Sequence, residues 1–166
     1  VKRTFSILFV CTGNTCRSPL AERILKARIK EQGWRNFRVA SAGTGAVEGE
    51  PASGSSKRAA RKIGVSLAGF RSKPVTASRV ARADLILTMT YAHKHDIEMR
   101  WPEAAGKTHA ISDYTGSGRG SIIDPIGGPD KVYEACAADL WDEIRRLIPR
   151  VTRAMEERDA GGGAEG

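Results

Sequence analysis

The sequence predicts an α/β fold with a parallel sheet sandwiched between helices. Three observations carry this. Apolar runs of strand length alternate along the chain with segments of helical period. The first run, Phe5 to Val10, is apolar at nearly every position, as a strand covered on both faces requires. The last segment repeats apolar residues at steps of three and four, the mark of a helix laid on a core. Strands that alternate with helices join through right-handed crossovers, which makes them parallel. In such sheets ligands sit beyond the carboxyl ends of the strands, where the winding direction reverses.

Taken in order, Phe5 to Val10 is a central strand that Thr12-Gly13-Asn14 brings to an end. Ser18-Pro19 supplies a side-chain cap and a proline for the first helical position, and Ala21, Ile24, Leu25, Arg28 and Ile29 continue at helical spacing to Gly33. Phe37 to Ala42 is a second strand, followed by a Gly- and Ser-rich surface loop from Gly43 to Ser56. Ser56 to Ile63 and Thr76 to Ala83 are short helices, Asp84 to Met89 a third strand and Thr90 to Trp101 a helix. Lys107 to Ser112 makes the fourth strand, after which Gly116, Gly118 and Gly120 loosen the chain ahead of Asp124-Pro125. Val132, Cys136, Leu140, Ile144, Leu147, Val151 and Met155 mark the closing helix. Pro149 is expected to kink or split it, since proline lacks the backbone donor and clashes with the preceding turn.

Composition sets the outer limits. The chain has 166 residues, 40% hydrophobic and 28% charged, which fits one domain over residues 1–158 with a disordered tail at 159–166. A chain of this size buries roughly 70% of its unfolded surface, so no staple is needed. Its longest uninterrupted apolar stretch is Ile7 to Cys11, whereas a membrane helix takes about 20 residues; no membrane partner is expected. Lys2 and Arg3 before an apolar run look faintly like a secretory leader, but bulky Val10 stands before Cys11 where a small residue belongs. Three cysteines form no framework and point to a reducing compartment, the cytoplasm. Residues 1 to 83 carry 17 basic against 4 acidic side chains and the remainder 10 against 15, so the net +8 is concentrated in the first half. Such a half attracts an anionic substrate, or presents a solvated basic face.

Cys11-Thr12-Gly13-Asn14-Thr15-Cys16-Arg17-Ser18 packs a thiol, a turn, an arginine and a helix start into one loop. Successive N–H groups and the helix dipole welcome a phosphate-sized anion there. Gly13 lets the backbone curl, and the planar fork of Arg17 holds two phosphate oxygens. The same positive field favours a Cys11 thiolate near neutral pH, a nucleophile toward phosphorus. A bare Cys-x5-Arg arises by chance in roughly one such chain in three; the strand before it and the helix start after it give it weight. The Walker pattern and Cys-x-x-Cys are both absent.

The run Val10 to Glu22 resembles the catalytic loop of the low-molecular-weight protein tyrosine phosphatase family. The likeness continues through Ser41-Ala42-Gly43-Thr44, Met89-Thr90 with His93-Lys94, and Asp124-Pro125-Ile126-Gly127-Gly128 leading into Val132-Tyr133. It implies a three-layer sandwich around a four-stranded parallel sheet, with the phosphate-binding loop after the first strand. It also implies roles. Cys11, Arg17 and Asp124 are catalytic: nucleophile, holder of the phosphoryl oxygens, and general acid that later activates water. Thr12, Gly13, Asn14, Thr15, Cys16 and Ser18 line the phosphate, with Ser18 supporting the thiolate. Asn14 and Ser41 resemble the buried polar pair that braces the loop. The glycines around Asp124 suit a mobile loop able to close over the first. No cofactor or metal is expected. His93, His95 and His109 show no ligand spacing with the cysteines and read as surface or satisfied core residues. Cys16 is a redox candidate, able to trap an oxidised Cys11 as a disulfide.

Substrate selectivity is assigned to Thr15, Val47 and Ile126. Tyrosine-directed members carry an aliphatic residue at the first position, an aromatic near the second and aromatics just after the Asp-Pro; this chain has none of them. Thr15 characterises the protein-arginine phosphatase branch. A phenol wants flat apolar walls, against which the N–H donors of a phosphoguanidinium would go unpaired. Arginine-directed members often keep an aromatic where Ile126 stands, and many members carry histidine at Phe70. The expected partners are phosphorylated proteins as substrate, phosphoarginine foremost and phosphotyrosine as the alternative, with inorganic phosphate as product. Arsenate reductases share the loop but need two further close cysteines, and only Cys136, on the core-facing helix stripe, is available. A basic nucleic-acid module would need neither Cys11 nor Asp124, and no RNA-binding aromatic pattern is present, so no nucleic-acid partner is expected.

Overall fold

Alternate residues of the first strand feed two separate cores. In the computed structural model, which describes residues 3–162, β1 (Phe5–Cys11) turns Ile7, Phe9 and Cys11 to one face and Leu8 and Val10 to the other. The first face packs on α1 (Arg17–Glu31) through Leu20, Ile24 and Leu25, and on α6 (Asp130–Gly161) through Leu140, Ile144 and Leu147. The second packs on α3 (Ala77–Arg82) through Val80 and on α4 (Tyr91–Arg100) through Ile97. Each of these fully buried aliphatic side chains contributes about 1.5–3 kcal/mol through burial.

β1 pairs in parallel with β2 (Phe37–Gly43) on one side and with β3 (Leu85–Thr88) on the other; β4 (Thr108–Ala110) pairs with β3. The sheet therefore has four parallel strands in the order β2-β1-β3-β4 between two helical layers, as the sequence predicts. The chain steps from β1 to β2, then crosses back over β1 to β3 and β4. The winding reverses at β1, and the loop after it lies at the reversal.

Local signals place most boundaries. α2 (Gly54–Lys62) begins two residues before the expected Ser56 because Ser53 caps it, accepting from the Ser56 N–H at 3.2 Å. Thr76 and Thr90 cap α3 and α4 in the same way. The fourth strand ends sooner than expected: Ile111 and Ser112 open α5 (Ile111–Thr115). Ile111 is buried in that helix, so its apolar character does not mark the strand end. α6 is one helix through Pro149, not two. Pro149 and Arg145 are both on the exposed side, where water can serve the carbonyl that proline leaves without a donor. The same helix runs on to Gly161, into the segment expected to be a disordered tail from residue 159; residues 163–166 lie outside the described residues.

The glycine-rich stretch after α5 is held rather than loose. Gly116, Gly118 and Gly120 do adopt positive φ, but between them Ser117 and Arg119 bond the fully buried carboxylate of Glu143 on α6, at 2.5 and 2.9 Å. Arg119 also pairs with Asp139 and Asp142, both at 2.8 Å. This clamp sits just ahead of the segment that carries Asp124.

Candidate active site

β1 delivers Cys11 at the reversal point, and α1 starts six residues later at Arg17. Ser18 was expected to cap this helix, yet Cys16 occupies the N-cap position and no side chain caps it. The Ser18 hydroxyl is engaged elsewhere: it lies 2.8 Å from Cys11 Sγ and accepts from Asn14 Nδ2 at 2.8 Å. The first N–H groups of α1 are thereby left for an anion in the loop.

Asn14, not Gly13, makes the turn. It has φ 54°, the left-handed conformation that asparagine tolerates better than most residues, whereas Gly13 is not in that region. The Asn14 side chain is fully buried and every polar atom is used. Its Oδ1 accepts from the backbone N–H of Lys73 at 2.9 Å, which fixes the amide orientation, and Nδ2 donates to Ser18 and, at 2.9 Å, to Ser41. Ser41 in turn donates to the buried carboxylate of Glu22 at 2.9 Å. With Asn14 donating to it, Ser18 has its own proton to offer Cys11. The Asn14 N–H points at the same sulfur, 3.3 Å away.

Neighbouring backbone holds the rest of the loop. Thr44 N–H donates to the Cys11 carbonyl at 2.9 Å, Gly45 N–H to that of Thr12 at 3.0 Å and Ser53 N–H to that of Thr15 at 3.0 Å. Gly43 has to be glycine, because a Cβ there would lie 2.2 Å from the Thr12 carbonyl oxygen. The loop therefore rests on the end of β2 and on the long loop that follows.

Arg17 joins this loop to the one bearing Asp124. Its buried guanidinium donates from Nη1 to the carbonyl of Ile122 at 3.1 Å and from Nη2 to Asp124 Oδ2 at 3.3 Å. Ile122 is itself buried and bonds the Met89 carbonyl through its N–H at 2.8 Å. Beyond that anchor the chain is open: the Asp124 side chain is 42% exposed, and Ile123 and Ile126 are each 78% exposed. Val47 on the opposite loop is 65% exposed. Thus Cys11, Arg17 and Asp124 converge, Asn14 and Ser41 lie directly behind the loop, and Val47 and Ile126 stand out into solvent.

The electrostatics differ from expectation at the thiol. Burial pushes Cys11 up from its ordinary value, and the Ser18 hydroxyl, Arg17 and the Asn14 N–H oppose that rise without overcoming it. The positive field was expected to prevail; removing the sulfur from water is the larger effect. Cys16 is lowered chiefly by a hydrogen bond from the Cys136 thiol on α6, which the same contact raises. All three cysteines are free thiols.

His93 was expected to be a surface or satisfied core residue, and it is buried with both ring nitrogens bonded. What the sequence did not disclose is where it reaches: Nε2 lies 2.8 Å from the Thr12 hydroxyl. The available signal was topological, since His93 follows β3, whose carboxyl end lies beside that of β1. Glu22, Gly43 and the Lys73 N–H were missed in the same way, each acting through a contact distant in sequence. Among the described residues no three His, Cys, Asp or Glu side chains group as a metal site, and no helix is long and apolar enough to cross a membrane.

A buried thiol facing a hydroxyl, beside an arginine and the start of a helix, can attack a phosphoryl group; an exposed carboxyl group can, once protonated, supply a proton and, as carboxylate, later remove one. Comparison with known proteins agrees with that chemistry. The model of the low molecular weight phosphotyrosine protein phosphatase family matches residues 6–157. A protein-arginine-phosphatase of Geobacillus stearothermophilus is 38% identical over 92% of this chain and 97% of its own. The low molecular weight protein-tyrosine-phosphatase Etp of Escherichia coli is 40% identical over 92% and 93%. Among solved structures, the YwlE arginine phosphatase of Geobacillus stearothermophilus superimposes with a TM-score of 0.83 at 37% identity, covering 92% of this chain and 96% of that one. A YwlE arginine phosphatase mutant with a phosphorylated active-site serine gives 0.84 at 32% identity, covering 89% and 96%.

Proposed function

The chain belongs to the low molecular weight phosphotyrosine protein phosphatase family and is a cysteine-dependent protein phosphatase, and on that premise we propose that its substrate is phosphoarginine in proteins. The observation that carries this is Thr15 in the phosphate loop, half-buried and held by the Ser53 N–H, with aliphatic Val47 and Ile126 rather than aromatic rings at the exposed rim. A phosphotyrosine ring finds no flat wall there, whereas a guanidine leaves its N–H groups free for water and loop oxygens. The relatives named protein-arginine-phosphatase support the same choice. Relatives named tyrosine phosphatases keep phosphotyrosine as the second reading.

The geometry supports the following steps. Phosphoryl oxygens take the fork of Arg17 and so displace Asp124 from its pairing at 3.3 Å. The Cys11 thiol gives up its proton and Asp124, freed from Arg17, takes one up; the thiolate attacks phosphorus, the P–N bond breaks, and Asp124 passes its proton to the departing guanidine nitrogen. The product is phosphocysteine. Asp124, now a carboxylate, removes a proton from water as that water attacks phosphorus. Inorganic phosphate forms, and the Ser18 hydroxyl stabilises the returning thiolate. Thr12, Gly13, Asn14, Thr15, Cys16 and Ser18 line the phosphate, and Asn14 with Ser41 brace the loop. No cofactor, nucleic acid or membrane takes part, and the free thiols favour the cytoplasm as the compartment.

Cys16 acts as the trap for oxidised Cys11. A peroxide-treated wild type that thiol reductant revives, beside a Cys16→Ser form that stays inactive, supports this; equal revival rejects it.

The test of substrate is phosphate release from phosphoarginine and from a phosphotyrosine peptide, side by side, by wild type and Thr15→Ile. Wild type is expected to favour phosphoarginine and Thr15→Ile to shift toward phosphotyrosine. Preference of the wild type for phosphotyrosine would reject phosphoarginine and leave the mechanism standing.

A further inference from the structure

His93 is a buried titratable side chain that touches the phosphate loop and has no part in the steps above. Its ring is held at both ends, by Thr90 Oγ1 2.9 Å from Nδ1 and by Thr12 Oγ1 2.8 Å from Nε2. Burial, and then the charge of Arg17, hold the imidazole well below its ordinary value, at about 4, so the ring is neutral at pH 7 and carries a single N–H. Thr90 bears on which nitrogen carries it. As the cap of α4, the Thr90 hydroxyl already accepts the His93 backbone N–H at 3.2 Å. Its own proton is free to be given to Nδ1, and in that arrangement the ring hydrogen sits on Nε2 for donation to Thr12. The Thr12 oxygen receives that hydrogen on one side and faces Arg17 Nη2, at 3.5 Å, on the other. With both lone pairs spoken for, the Thr12 proton has to find an acceptor elsewhere, and the phosphoryl oxygens on the same guanidinium are the acceptors beside it.

We propose that His93 is a positioning residue that fixes the Thr12 hydroxyl as a donor to the phosphoryl group held by Arg17. The proposal rests on the assignment of Cys11 to Ser18 as the phosphate loop. It explains why a histidine is buried next to a cation, and it gives Thr12 a contact with the substrate in addition to its backbone N–H. A second threonine, on α4's cap, is drawn into the site through the ring.

Two measurements decide it. The first is the 15N spectrum of the His93 imidazole in wild type, with and without inorganic phosphate. The Nε2–H tautomer is expected, with its resonances moved by phosphate. The second is competitive inhibition by inorganic phosphate, with kcat and KM on phosphoarginine, for Thr12→Val, His93→Gln, the double variant and Thr12→Ser. Thr12→Val is expected to weaken phosphate inhibition and raise KM by about 10- to 100-fold, the range of one hydrogen bond to a charged group, and His93→Gln to do so by no more than that, with kcat changed less. The double variant is expected to lose no more than Thr12→Val alone, and Thr12→Ser to recover most of the loss. The Nδ1–H tautomer, unchanged phosphate inhibition in Thr12→Val, or losses that multiply in the double variant would each overturn the proposal. If His93→Gln does not fold, the tautomer and the Thr12 variants still decide. A wild type that phosphate does not inhibit would instead overturn the phosphate loop itself.

Discussion

The two loops that meet at Arg17 are built in opposite ways. From Cys11 to Ser18 the chain is braced from behind: Asn14 has no free polar atom, three carbonyls are taken by neighbouring N–H groups, and Gly43 lies too close to admit a Cβ. From Ile123 to Gly127 the chain is exposed except at buried Pro125, with the Asp124 carboxylate held by Arg17 and by the Ile126 N–H at 3.1 Å. The open span begins right after buried Ile122, which the Met89 carbonyl and Arg17 hold, and ends before Asp130, which pairs with Arg58 at 2.7 Å. The contrast suits the chemistry. Oxygens of a transferring phosphoryl group need donors fixed in advance, since any rearrangement at the moment of reaction adds to the barrier. An acid in the proposed role would have to pair with Arg17, release it and approach a leaving group, which a short exposed span between anchors suits.

Breaking the chemistry on both sides has the largest effect. Cys11→Ser is expected to abolish phosphate release. Asp124→Asn is expected to lower kcat by about 10²- to 10⁴-fold, the usual contribution of a positioned acid. Initial rates on substrates of graded leaving-group basicity check this: the loss grows as the leaving group becomes more basic, and a loss independent of leaving group contradicts it.

Removing the brace separates the loops next. Asn14→Ala removes the donor to the buried hydroxyls of Ser18 and Ser41, which keep Cys11 and Glu22 as partners, and leaves the Lys73 N–H without its acceptor, at a cost of about 1–3 kcal/mol for a group that finds no other. Urea denaturation is expected to show that loss, and kcat to fall with it because Ser18 is no longer directed at Cys11.

A smaller effect is expected on acidification. The folded His93 binds its proton only near pH 4, against an ordinary value of 6.5. Above pH 6.5 the ring is neutral whether the chain is folded or not. Between these values the unfolded chain takes up the proton and the folded one does not, so stability falls as pH drops through that window. Besides Arg17, the charges that face the ring are Asp124 and Asp96, which oppose the lowering. Melting temperatures across this range are expected to decline less in His93→Gln than in wild type.

The open loop tolerates change best. Ile126→Phe is expected to leave stability within about 0.5 kcal/mol of wild type, as for other exposed substitutions. It adds an aromatic wall, which favours phosphotyrosine over phosphoarginine by about 2- to 10-fold; a ratio of kcat/KM values that does not move would show that Ile126 has no part in selectivity.

The same contrast governs what was legible in the sequence. Groups that act through their neighbours in the chain were readable: the apolar run of β1, the Cys11-to-Ser18 spacing and the helical stripe of α6 each predict what the structure contains. Groups that act through contacts distant in sequence were not. Ser18-Pro19 looks like a helix cap until Asn14 and Cys11 engage the hydroxyl. Gly13 looks like the turn residue until the Lys73 N–H and Ser41 are found to hold Asn14 in the left-handed conformation. Gly116 to Gly120 looks slack because Arg119 finds its carboxylates on another helix. Pro149 looks like a break because nothing local tells that it faces solvent.

The most direct measurement is rapid-quench mass spectrometry of the wild-type protein mixed with a protein carrying phosphoarginine, run beside the same experiment with a phosphotyrosine peptide. A phosphoryl group on Cys11 within the first turnover, appearing faster from phosphoarginine, is the expected result. Phosphate released with no phosphoryl group on Cys11 would contradict the nucleophile, and faster labelling from phosphotyrosine would contradict the substrate.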